Sequence, residues 1–552
     1  MTAHPLTPDG PGTVDLHAPN PVHDDPRAFP GARWDRRNTG EGVPEVATPM
    51  TASWTRLTGT AAQLRLMHLL GAVTEAELGG RDGTASPYHQ RLSGYFYGRR
   101  CLDATATLGL LGRLPGVDAA DLAEYIYGER LTIDVDALSP ARTVRAIGRL
   151  GHAATTLPRR IERRSVATAA WWAAGVAGAA DASWERAVQL LDEASERMRA
   201  DLAVHAATSV FHTAFANAVN KIARRHLDDE EMLRLHGGVA EMSETTMLAR
   251  LRAAARGGSL TDFQRAYGFY TPSGAELMTR SWREDVSGLT QVLAGYAESG
   301  VDPAARHLHS QRAFGLVRTR LLREASHTER AVLRPLLDRL QRFAATRERS
   351  KAMVLQCTDA SRAAVRRLGW HLWDQGRLDD PDDVFFLTVD ELGPARTQDS
   401  LRSVVAARRD LGRRYADLDL PFSFDAGSLR QAVDRAIVGV VGAGAVLSGL
   451  GLSAGTATGR VVVMRQPSIS GFEAGDILVC QTTDPGWSAL LSIAGAVVMD
   501  MASALSHGAI VARELGLPCV GNVVHGTRQL QTGQIVRVNG TTGVVEVLAP
   551  VD

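Results

Sequence analysis

Lysine is almost missing from this chain of 552 residues: of 61 basic side chains only Lys221 and Lys351 are lysines, both in helical surroundings with no glycine-rich loop beside them. No phosphate-cradling loop with its own lysine is therefore expected here. Net charge is missing too, because 61 acidic residues offset the 61 basic ones. With no overall field, neither nucleic acid nor an anionic membrane is an expected partner. Cysteine is scarce and scattered: Cys101, Cys357, Cys480 and Cys519 form no CxxC pair and no metal-ligand spacing. This pattern fits a reducing cytoplasm rather than a disulfide framework or a metal centre. A secretory signal is also lacking, since the first thirty residues are rich in proline, aspartate and histidine and have no apolar core. Residues 1–30 read instead as a disordered leader. The longest uncharged run, Ala436 to Gly459, is broken by repeated glycines and suits a flexible connection better than a membrane span. No repeat of fixed period marks a solenoid.

What is present falls into two regions of different character. Residues 31–420 are dominated by alanine, leucine and arginine at helical spacing, as in "DASWERAVQLLDEASERMRADLAVH" and "TERAVLRPLLDRLQRFAATRERSKAMV". A linker over 421–446 follows. Residues 447–552 then hold short β-branched runs separated by glycine: "GRVVVM", "DILVCQ", "GAVVMD", "PCVGNVV", "QIVRVNG" and "GVVEVL". Two of the gaps between them are helical. "DPGWSALLSIA" offers Asp484 as N-cap and Pro485 at the first helical position, and "SHGAIVARELGLP" offers Ser506 as N-cap with Gly516 and Pro518 as the stop. The expected class is a multidomain α plus α/β protein, a large mostly helical domain followed by a compact C-terminal β/β/α domain with right-handed parallel crossovers.

In such crossovers the loops leaving the carboxyl ends of the strands form the ligand crevice. Asp484 follows "DILVCQ" and His507 follows "GAVVMD", so both leave strand ends on the same side. His507 then stands at a helix N-terminus, where unpaired N–H groups and the helix dipole favour a phosphate. With no sequence-adjacent serine, cysteine or metal ligand, the imidazole itself is a candidate nucleophile toward phosphorus. On geometry alone a polar helix-start residue is an equal alternative.

The string "TDPGW", then "LSHGAIVARELGLPCVGN", then "LQTGQIVRVNGTTGVVEVL" resembles the swivelling phosphohistidine domain of the phosphoenolpyruvate-utilising enzymes, in the rifampicin phosphotransferase and phosphoenolpyruvate synthase branch. Upstream, "RWDRRNTGEGVPEVATPMTASW" and "GRLDDPDDVFFLTVDEL" resemble landmarks of that family's central helical domain. The resemblance implies that His507 carries a phosphoryl group and that the domain swivels on the glycine-rich stretch Gly439 to Gly451. It implies an acceptor hydroxyl on a small organic molecule in the helical domain, in secondary metabolism or antibiotic modification. No cofactor is expected to bind tightly to this chain. Because the chain passes from its leader straight into the helical domain, ATP and Mg2+ are expected on a separate ATP-grasp protein, a partner this chain would need.

Three departures from the family pattern stand out. Ala502 and Ser503 occupy the places of two glycines ahead of the histidine, and an added Cβ restricts the backbone and the approach of phosphate. Phe269 and Tyr270, in "YGFYTPSG", stand where the family has histidine and arginine, which implies either an acceptor pocket retuned toward an apolar or aromatic molecule or loss of that chemistry. The third departure is the missing ATP-grasp region.

Further candidates follow from position. Asp484 either caps its helix or orients the His507 ring. Arg513 lies about 240° around the helix from His507, which favours a structural salt bridge over a phosphate contact unless the loop folds back. Arg347, Glu348 and Lys351 in "RERSKA" align with an Arg-Glu pair near the family's acceptor site, or form a solvated helix face. Arg36, Asn38 and Glu41 in "RRNTGE" resemble a segment near the family's cleft, and Glu276 could serve as base on a hydroxyl. Trp171 and Trp172 are core residues or the lining of an apolar pocket. His205, His212, His226 and His236 fall at no metal spacing and read as incidental. The function expected is transfer of a phosphoryl group from His507 to a small-molecule hydroxyl. A phosphorylation-assisted dehydratase or cyclase, and a non-catalytic ligand-sequestering homologue, are the alternatives.

Overall fold

The computed structural model describes residues 21–550, apart from 26–27, 81–82, 128–129, 240–242, 272–273, 288, 291–301, 419, 430–438, 469 and 505. Five long helices build the first region: α1 (Pro49–Leu70), α2 (Pro140–Ala179), α3 (Trp184–Ala223), α4 (Pro303–Glu324) and α5 (His327–Asp374). Their starts are written in local chemistry. Thr48 caps α1 by accepting the Thr51 N–H ahead of Pro49, and Ser326 with Glu329 forms a reciprocal capping box on α5. The 48 residues of α5 lie along α3 and α2 and bury Leu340, Phe343 and Met353 together with Arg347 and Glu348. A helix that sinks charged residues among apolar ones is being used to hold charge at a fixed place.

A small antiparallel sheet closes one end of the helices. Its strands β1 (Arg33–Asp35), β2 (Ser93–Phe96), β3 (Arg99–Asp103) and β4 (Ser423–Asp425) are ordered β2-β3-β1-β4. Trp34, Phe96 and Phe424 pack edge to face beneath it. Because β1 is pinned between β3 and β4, the turn that follows it, residues 36–41, has a fixed exit direction.

The C-terminal domain is an eight-stranded sheet. Its members are β5 (Val446–Ser448), β6 (Leu450–Ser453), β7 (Thr456–Met464), β8 (Ile477–Cys480), β9 (Ala496–Met499), β10 (Cys519–Gly521), β11 (Ile535–Asn539) and β12 (Val544–Ala549), in the order β5-β12-β11-β7-β8-β9-β10-β6. Strands β7 to β10 are parallel, and antiparallel strands flank them on both sides. Helix α6 (Ser488–Ile493) fills the β8–β9 crossover and α7 (His507–Leu515) the β9–β10 crossover. All six strands and both helices expected from the sequence are present.

Three boundaries differ from expectation. Residues 1–20 of the expected leader lie outside the described residues, but Val22 is buried, Asp24 accepts the Tyr95 N–H at 2.8 Å and Arg56 binds its carboxylate. The expected linker opens with β4, whose Phe424 is core, while 430–438 lie outside the described residues. The stretch expected to swivel, Gly439 to Gly451, contains all of β5 and the start of β6. A Cβ on Gly449 would stand 2.3 Å from the Gly521 carbonyl, and one on Gly451 2.5 Å from that of Thr541. These two glycines serve close strand approach, not freedom of rotation. Among the described residues no helix is long and apolar enough to cross a membrane.

The distinction is measurable. Gly451→Ala should destabilise the C-terminal domain by about 1–3 kcal/mol. Gly442→Ala, whose Cβ would meet nothing within 4 Å, should change stability by less than about 0.5 kcal/mol in denaturant titrations.

Candidate functional site

The site is assembled at the start of α7. Ser506 sits extended ahead of the helix, yet its hydroxyl makes no cap to its own backbone. It donates instead to Glu41 Oε1 at 2.5 Å, and Glu41 also accepts the backbone N–H of His507. A carboxylate from the turn after β1 thus does the work that the Ser506 side chain was expected to do, at the positive end of the helix. His507 is 1% exposed, with Nε2 3.5 Å from the hydroxyl of Ser488, the first residue of α6. The next residue must be glycine, because a Cβ on Gly508 would lie 2.3 Å from Thr483 Oγ1 and 2.8 Å from Met499 Sδ.

Across the domain boundary, α5 presents Arg347 and Lys351. Burial pushes the His507 imidazole well below the ordinary histidine range, the positive charges of Lys351 and Arg347 push the same way, and Glu348 opposes them. His507 is therefore a neutral imidazole with a lone pair at physiological pH. Arg347 is held in place by Glu348 at 2.7 Å and Ser209 Oγ at 3.2 Å. Asp484 does not cap in isolation: its carboxylate accepts the Gly486 N–H at 2.8 Å and, across the boundary, the Gly274 N–H at 2.7 Å. Burial raises it to about 6 despite those bonds. Lys351 acts electrostatically on Glu41, Asp484 and His507 together.

Three histidines read as incidental belong to the same neighbourhood. His205 and His212 project from α3 two turns apart, His205 bonding Ser350 Oγ at 2.9 Å, and His236 meets Asn220 Oδ1 at 2.9 Å. Burial first, then Arg347 and Lys351 for His205, and Arg347 for His212, hold both well below their ordinary range. His236 falls to about 3 through burial and Arg513. The seven-residue spacing of His205 and His212, which places them on one helix face, was the available signal.

Other candidates are placed differently. Glu276 accepts from Thr48 Oγ1 at 2.8 Å, Thr51 Oγ1 at 2.7 Å and the Met278 N–H at 3.0 Å, so its oxygens clamp the start of α1. Arg36 is buried against the Phe422 ring, and its charge bears on Cys101. The Asn38 side chain lies outside the described residues. At Arg513 the loop folds back: its guanidinium donates to the Ala504 carbonyl at 2.5 Å while its charge acts on His212 and His236. Phe269 and Tyr270 are buried, packing on Trp172 and Trp282, and Trp172 donates to Asp359 at 2.9 Å. These aromatics form core.

The replaced glycines bring no backbone strain. Among the described residues positive φ outside glycine occurs at Tyr97, Asn522 and His525, not at Ala502 or Ser503. The Ala502 N–H donates to Asn522 Oδ1 at 3.1 Å, and its Cβ fills space that glycine at 521 leaves open.

Residues 472–543, which contain α6 and α7, match the PEP-utilising enzyme mobile domain. The chain carries that mobile domain. Residues 165–348 match the rifampicin phosphotransferase fourth domain, a range that includes His205, His212, Arg347 and Glu348. A rifampicin phosphotransferase of a Streptomyces species is 30% identical over 363 residues, 62% of this chain and 42% of that protein. An uncharacterized protein of Mycobacterium tuberculosis is 39% identical over 187 residues, 34% of this chain and 21% of the relative. An uncharacterized phosphotransferase of Bacillus subtilis is 32% identical over 197 residues, 34% of this chain and 24% of its own. The chain thus matches less than half the length of these relatives.

The electrostatics around His507 give a pH signature. At pH 6 a solvent-exposed histidine is roughly three-quarters charged, whereas His507 should remain neutral. Because the folded protein holds it neutral, stability loses this contribution as pH falls below about 6.5, where an exposed imidazole binds a proton. NMR titration of labelled histidine, with His507→Asn for assignment, should show its transition displaced to low pH. Lys351→Met should move that transition upward and Glu348→Gln downward.

Proposed function

We propose that this chain is the phosphohistidine-bearing and acceptor-binding part of a phosphotransferase. His507 takes a phosphoryl group and passes it to a hydroxyl of a small organic molecule held by the helical domain. A separate ATP-grasp protein binds ATP and Mg2+ and loads the histidine. The observation that carries this reading is a neutral, buried imidazole at the N-terminus of α7, facing the cations Arg347 and Lys351 supplied by the other domain. Likeness to rifampicin phosphotransferases supports the reaction class, and the scarcity of lysine supports a nucleotide site outside these residues.

The chain's own residues account for the second half of the reaction. In transfer, the acceptor oxygen bonds to phosphorus as the P–N bond breaks, the electron pair returns to the imidazole, and the hydroxyl proton ends on the ring. Arg347 and Lys351 neutralise the equatorial oxygens as charge spreads over them. The uncharged ring of His507 has its lone pair available as nucleophile in the loading step.

Incubation with ATP labelled on the β-phosphate tests the proposal. Acid-labile label should appear on the wild type only when an ATP-grasp partner is supplied, and never on His507→Ala. Lys351→Met should still take label but lose it to acceptor about 10²-fold more slowly, the scale expected for one charge-stabilising group. Absence of acid-labile label on the wild type with every candidate partner refutes the reading; label without a partner refutes the split arrangement.

A further inference from the structure

The turn that carries Glu41 is built to hold its carboxylate still. Thr39 Oγ1 donates to the Arg100 carbonyl of β3 at 2.7 Å, the Gly40 N–H returns to Arg36 at 2.6 Å, and the Gly42 carbonyl accepts the Ala275 N–H at 2.8 Å. Gly40 is pressed against the loop ahead of His507 so closely that a Cβ there would stand 2.9 Å from Met501 Cε. At the end of this turn the carboxylate takes the Ser506 hydroxyl and the His507 N–H, within the fields of Lys351 and Arg347. An anion from the helical domain therefore already occupies donors and cations that a phosphoryl group at the same helix start would engage. Two anions cannot both be satisfied there, because each has been stripped of water and the same few positive groups must serve both.

We propose that Glu41 is a docking sensor for the state of His507: it holds the mobile domain on the helical domain while the imidazole is bare, and is displaced when the imidazole carries a phosphoryl group. This rests on the phosphohistidine reading. Glu41 is on this account a positioning residue that acts through Ser506 and the α7 backbone. A loaded domain docks only by pushing Glu41 aside; once the group has passed to the acceptor, the carboxylate closes again on the helix start. That reclosure opposes return of the phosphoryl group from product to His507. Glu514, at the far end of α7, crosses the boundary away from these cations: it accepts the Val239 N–H at 3.1 Å and pairs with His307 at 3.2 Å.

The test uses the full chain and potassium phosphoramidate, a chemical phosphoryl donor to histidine, so that neither ATP nor a partner is needed. Amide hydrogen exchange of residues 507–515 is followed before and after loading, with His507→Ala reporting the effect of label on other histidines. In the wild type, loading should accelerate exchange of these amides at least tenfold, because Glu41 and the phosphoryl group exclude one another. In Glu41→Gln, which keeps the size and an acceptor oxygen but not the charge, loading should change exchange less than twofold. Glu514→Gln should respond to loading as the wild type does. The proposal is overturned if loaded wild type keeps its protection, if Glu41→Gln releases on loading as the wild type does, if Glu514→Gln loses the response as fully as Glu41→Gln, or if phosphoramidate leaves His507 unlabelled in every form. A failed ATP-labelling assay with a positive result here would instead refute the loading route and leave the sensor intact.

Discussion

Burial of an uncharged imidazole between two domains is the constraint on which the other features depend. A histidine in water is a mixture of charged and neutral rings near neutral pH, and only the neutral ring has a lone pair to offer phosphorus. Sealing His507 against α6 and α5 removes the water that would stabilise the charged form, and Lys351 and Arg347 make protonation costlier still. In the proposed transfer the same two cations receive the phosphoryl group. On the proposed reading, one arrangement suits the histidine both as acceptor and as donor of the group.

Holding cations in a helical bundle has a cost, and the bundle offsets it with specific partners. Arg347 is buttressed by Glu348 and Ser209, and the nearby His205 and His212 stay neutral so that no further positive charge accumulates. The boundary between the domains is stitched by three carboxylates, Glu41, Asp484 and Glu514, each accepting backbone N–H groups from the opposite side. All three are raised above their ordinary range by burial. Such contacts are directional and exchangeable, which suits the proposed departure and return of the C-terminal domain better than an apolar seam would.

The C-terminal domain was legible in the sequence almost strand by strand, since β-branched runs of four to six residues between glycines have few other ways to fold. Helix α7 was legible from Ser506, Gly516 and Pro518. Its capping chemistry was not: the side chain at the N-cap position looks outward to Glu41, a partner invisible to any local pattern. Glycines 449 and 451 were misread as flexible for a related reason. A glycine needed for close approach and one needed for freedom are identical in sequence, and only the neighbouring strands, here at Gly521 and Thr541, separate the two cases.

The sequence by itself determined the two-part architecture, the position of His507 at a helix start and the scarcity of lysine, because each follows from local periodicity, capping residues or composition. Tertiary structure alone decided what surrounds that histidine. Glu41 and Ser506 meet across 465 residues, Lys351 and Arg347 come from the middle of a 48-residue helix, and Glu276 turns out to clamp α1 instead of joining them. Desolvation and charge act through distance in space, and only the folded chain sets those distances.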